Sequence, residues 1–91
     1  MMTVAAGLST VGLIPFVSTF AVLQACVPVE QFRNSICYPH LNVKVVGTHA
    51  GIECGADGAT HQALEDIALM RTIPGTVVLA PADAYATRAL V

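Results

Sequence analysis

The run from Thr48 to Gln62, Thr-His-Ala-Gly-Ile-Glu-Cys-Gly-Ala-Asp-Gly-Ala-Thr-His-Gln, constrains this chain more than any other stretch. Glycines at 47, 51, 55 and 58 let the backbone turn sharply and come close to a ligand, and imidazole and carboxylate side chains exchange protons near neutral pH. Such a segment makes a binding loop, not a core. An apolar run, Val43 to Val46, precedes it and reads as a short buried strand. After it, Gln62 to Arg71 repeats its apolar residues at helical spacing, with Leu64, Ile67, Ala68 and Arg71 on one face. The loop therefore joins a strand to a helix at the carboxyl end of a sheet, where open α/β sheets hold their ligands. His49, Asp57 and His61 are the candidate functional residues.

The rest of the chain alternates short β-branched runs with helical patterns, in the manner of βα units. Met1 to Val11 reads as a helix stopped by Gly12, and Leu13 to Val17 as a strand. Ser18 or Thr19 can cap a helix running towards Tyr38 and ending before Pro39. Pro28 falls inside that helix at a cost of about 3 kcal/mol, so a kink or two shorter helices should result. Strands at Asn42 to Gly47 and Thr76 to Leu79 follow, then a last helix capped by Asp83. The expectation is a single α/β domain over residues 1–91, a partial open parallel sheet with flanking helices.

No side chain from Met1 to Val29 is charged, so a signal peptide or membrane span has to be weighed. Neither fits: no Lys or Arg precedes the apolar region, and Gly12, Pro15, Gln24 and Pro28 interrupt it before the ~20 apolar residues a span needs. A hydrophobic content of 55% with 11% charged residues excludes disorder and suggests apolar surface meant for another domain or subunit. A net charge of −2 leaves no basic footprint for nucleic acid. Cys26, Cys37 and Cys54 are odd in number and lack paired spacing, which argues against a disulfide framework and a zinc site and for a reducing, cytoplasmic setting.

The loop carries a family resemblance that extends along almost the whole chain. Gly7-Leu8-Ser9, Ser18-Thr19-Phe20, Arg33-Asn34-Ser35, the run from Asp57-Gly58-Ala59-Thr60-His61-Gln62 to Arg71, and Pro81-Ala82-Asp83 together resemble transketolase, in particular the C-terminal subunit of split transketolases. Related enzymes such as deoxyxylulose-phosphate synthase share the domain but match the stretch from His49 to Arg71 less well. The resemblance implies the later part of the pyrimidine-binding module of the thiamine diphosphate-binding fold. The parent activity would be transfer of a two-carbon ketol unit between sugar phosphates, with thiamine diphosphate and magnesium as cofactors and an N-terminal transketolase subunit or a second copy as partner.

It also implies roles. His49, Asp57 and His61 match the family's sugar-binding and proton-transfer residues, and Phe20 matches an aromatic residue of the aminopyrimidine pocket. Leu23 stands where the family has a second phenylalanine, losing stacking worth about 0.5 to 1.5 kcal/mol. Cys26-Val27-Pro28-Val29 and Ala56 depart from the pattern as well. The family's proton-relay glutamate would fall just ahead of Met1, so the chain is expected to be a truncated segment, inactive alone. Three readings stay open: a partial chain completed by other subunits, a degraded remnant, and a noncatalytic interaction module that docks to an intact transketolase subunit.

Overall fold

A computed structural model describes all of residues 1–91. It opens with α1 (Met2–Thr10), which buries Met2, Ala5 and Ala6 on one face and closes at Gly12, whose φ of 89° a side chain would oppose. Gly12 N–H donates to Ser9 O and Leu13 N–H to Leu8 O, the paired bonds of a Schellman stop. The first helix is as expected.

Two parallel strands follow, β1 (Phe16–Phe20) and β2 (Lys44–Thr48), in register from Phe16 opposite Lys44 to Phe20 opposite Thr48. The sequence placed β1 at Leu13 to Val17, three residues too early. Lys44 N–H donates to the Pro15 carbonyl at 2.9 Å, so pairing begins only beyond the proline, and Leu13 and Ile14 are an exposed connection. Ser18 and Thr19 consequently lie inside the strand opposite Val46 and Gly47 and cap nothing. Phe20 occupies the N-cap position of α2 (Ala21–Ala25), with no side-chain cap.

Pro28 breaks the second helical region as expected. The helix α2 stops before it, α3 (Val29–Gln31) starts after it, and a wide π turn, Phe32–Cys37, carries the chain to Tyr38. This region supplies the core: Phe32, Ile36 and Cys37 pack with Met2, Ala5 and Ala6 of α1, Val17 of β1, and Ile73. Gly47 lets α2 sit against the sheet, since a Cβ there would come within 3.1 Å of the Ala21 Cα and Cβ.

The second half departs further from expectation. The third helix, expected from Gln62, is only α4 (Asp66–Arg71). Ala63 exchanges two backbone hydrogen bonds with Gly51, and Gln62 is extended, so the segment ahead of Asp66 is held by the loop and cannot wind. Leu64 and Ile67, expected on one face of that helix, are exposed. Thr76 to Leu79 forms no strand. A cleft of about 1070 Å3 lies between this run and β2, lined by Val45, Val46 and Gly47 on one side and Val77 to Pro81 on the other. With no edge in reach, Val77 stays 81% exposed and the sheet has two strands, not three. The last helix, α5 (Ala84–Leu90), is capped as expected, Asp83 Oδ1 accepting from Ala86 N–H at 2.7 Å. No helix is long and apolar enough to cross a membrane.

Candidate active site at the carboxyl ends of the strands

Phe20 and Thr48 face each other as the last residues of β1 and β2, so whatever follows either strand emerges at one edge of the sheet. His49 follows β2 immediately, in the left-handed region at φ 54°, a conformation uncommon outside glycine. That turn lays its imidazole against Phe20, ring centroids 4.2 Å apart and planes tilted by 36°. From the far end of the loop His61 meets the same ring edge-on, at 6.1 Å and 82°. Two residues twelve positions apart in sequence thus share one aromatic support.

The loop between them is closed at its neck by Gly51 and Ala63, with N–H···O distances of 2.8 and 3.2 Å. Inside it run two short 3-10 turns, Gly55–Asp57 and Ala59–His61. Gly58 separates them at φ 71°, ψ −162°, a region only glycine occupies readily. Asp57 is exposed on the first turn and makes no hydrogen bond within the chain. The structure brings His49 and His61 together on Phe20, and neither ring hydrogen-bonds Asp57.

Each imidazole is also held by a hydroxyl. His49 Nδ1 lies 3.0 Å from Thr48 Oγ1 and His61 Nδ1 lies 2.9 Å from Thr60 Oγ1. A hydroxyl can donate or accept, so each Nδ1 is engaged in either tautomer and both Nε2 atoms are left for a ligand. Sequence reasoning missed Thr48 and Thr60, although the signal was present as a Thr-His pair at each end of the loop.

On the helix side, half-buried Phe20 and Leu23, which is 42% exposed, offer an apolar surface three residues apart at the start of α2. A flat heteroaromatic ring suits such a surface. No group of three or more His, Cys, Asp or Glu side chains gathers to hold a metal ion. The large cleft reaches Gly47 and Ala50 but neither histidine nor Phe20, so the imidazole pair sits on an open rim. Burial pushes the Cys26 thiol up, with the carboxylates of Glu65 and then Asp66 adding to the shift.

The imidazole pair and the apolar shelf lie at the carboxyl edge of a parallel α/β sheet, where this class of fold holds its ligands. Sequence relationships are more specific. The transketolase pyrimidine binding domain family matches residues 1–91. A protein of Methanocaldococcus jannaschii named as a transketolase C-terminal section is 53% identical over 88 residues, covering 97% of this chain and 28% of that protein. A 6-deoxy-6-sulfo-D-fructose transketolase subunit of a Clostridium species is 42% identical over 89 residues, covering 98% of this chain and 28% of the subunit. A solved split-gene transketolase, described as an inactive beta4 tetramer, superposes with a TM-score of 0.84 at 61% identity, over 98% of this chain and 27% of its own. The chain belongs to the transketolase family, whose members are thiamine diphosphate enzymes. It spans little more than a quarter of the length of these relatives.

Proposed function

We propose that these residues form the sugar-handling rim, and part of the pyrimidine-facing wall, of a transketolase that moves a two-carbon ketol unit between sugar phosphates. The observation that carries this reading is the convergence of His49 and His61 on Phe20 at the carboxyl ends of β1 and β2. Thiamine diphosphate, bound with magnesium, supplies the nucleophilic carbon that such a transfer needs. Phe20 and Leu23 would form one apolar side of its aminopyrimidine pocket. The two Nε2 atoms hydrogen-bond the donor's carbonyl and hydroxyls and carry the proton that leaves a hydroxyl as the carbon–carbon bond breaks. Asp57 fixes a further hydroxyl.

Residues that hold the diphosphate and its metal come from a partner, an N-terminal transketolase subunit or a second copy. By themselves the 91 residues, a partial pyrimidine-binding domain, bind the cofactor weakly and do not turn over. Three free thiols suit a reducing cytoplasm. A noncatalytic docking module is the second reading, favoured by the open cleft beside β2 and the exposed Val77 and Leu79.

The test places these residues in the matching stretch of a split transketolase C-terminal subunit, adds the N-terminal subunit, and follows a ketose phosphate donor in a coupled assay. Turnover by the assembly and none by the 91 residues is the expected result. An assembly that binds but never turns over, even after Leu23→Phe, would favour the docking module.

A further inference from the structure

Between Thr48 and Gln62 one side chain alone is buried, that of Cys54. Everything else in the loop is exposed or half-buried, so this thiol is its entire interior. Cys54 Sγ lies 2.8 Å from the carbonyl oxygen of His61, to which it donates, and 3.7 Å from the carbonyl oxygen of His49. It therefore bonds the backbone of one of the two residues whose rings meet on Phe20 and lies against the backbone of the other.

The neck bonds between Gly51 and Ala63 join the backbone two residues past each histidine, and the threonine hydroxyls orient each ring relative to its neighbour. Neither device touches the backbone of the histidines themselves, whereas Cys54 does. We propose that Cys54 is a positioning residue: its thiol spaces the backbones of His49 and His61 so that both imidazoles rest on Phe20 at once. The inference rests on the proposed role of the two histidines for its functional meaning, though not for its geometry.

Filling space is the ordinary use of a buried cysteine, and two substitutions separate the roles. Cys54→Ser keeps a donor in nearly the same place. Cys54→Val keeps apolar bulk and removes the donor. An aromatic ring 4.2 Å from an imidazole shields its carbon-bound protons, so the His49 ring signals of the 91-residue chain should lie upfield of free histidine. Phe20→Leu identifies that displacement by abolishing it.

The expected result is an upfield displacement kept in Cys54→Ser and reduced at least twofold in Cys54→Val, with circular dichroism reporting folded chains. If Val unfolds the chain, Cys54→Ala takes its place under the same criterion. Displacement retained without the donor, lost in Ser as well, or missing from the unsubstituted chain would each overturn the proposal. No turnover enters this readout, so a failure of the ketol-transfer reading would leave the positioning result standing, and the reverse also holds.

Discussion

The first 48 residues and the remainder are built to different standards. Up to Thr48 the chain packs Met2, Ala5, Ala6, Val17, Phe32, Ile36 and Cys37 into one cluster and pairs its two strands. Beyond Thr48 only Cys54, Ala63 and Ile73 are buried, and Leu64, Val77, Leu79 and Tyr85 are exposed. The first region holds most of the buried cluster, though Ile73 completes it, Val4, Val11, Leu13, Ile14 and Phe16 stay exposed, and Gln24 Oε1 is buried without a partner. The second carries the candidate chemistry on a loop that buries little more than Cys54. The candidate site sits on the less packed part, held to the scaffold through the ring contacts with Phe20 and through Ile73 in the shared cluster.

The sharpest way to break this contrast is a pair of core-sized deletions. Phe32→Ala should cost about 3 to 5 kcal/mol and unfold a chain of this size, because it empties the middle of the cluster. Val77→Ala should cost less than about 0.5 kcal/mol, since that side chain is 81% exposed. Urea titrations of both variants measure the difference; equal losses would mean that the second half has a core of its own.

Gly58→Ala should come next, at about 1 to 3 kcal/mol, because it forces a side chain into a conformation that only glycine adopts readily. Its damage should stay local, with His61 displaced from Phe20 while the dichroism of the strands is unchanged. Asp83→Ala removes the only side-chain cap among the helices and should cost about 1 kcal/mol, read as lost helicity in α5 alone.

The smallest effect concerns Cys26. Because burial and then Glu65 raise its pKa, the thiol persists to higher pH than in an unfolded chain. Iodoacetamide should label it more slowly at pH 8 than it labels a model thiol, and Glu65→Gln should speed the reaction. The linked stability is present below the unfolded pKa and fades as pH rises through the raised folded one.

Local chemistry was legible in the sequence and partnership was not. Gly12, Pro28 and Asp83 act through their own backbone and did what their residue types require. The loop's composition marked the candidate site before any coordinate, and both histidines meet there. What failed depended on distant groups. The helix beginning at Gln62 was lost to Gly51, which engages Ala63, and the strand boundary moved because Pro15 O is the first acceptor for Lys44. Thr76 to Leu79 has the composition of a strand, but periodicity cannot say whether an edge is within reach. Asp57 shares the loop and lies exposed on a one-turn helix.

The central claim, that the two imidazoles on Phe20 are the working part of a ketol-transfer site, is tested most directly by substituting them in the assembled enzyme. With these residues in a complete C-terminal subunit and the N-terminal subunit present, His61→Ala should lower kcat by about 10²- to 10⁴-fold, the usual contribution of a positioned acid or base. His49→Ala should do comparable harm, while His40→Ala, remote from the rim, should leave the rate within about twofold. Turnover indifferent to both His49 and His61 would contradict the claim and leave the loop as architecture.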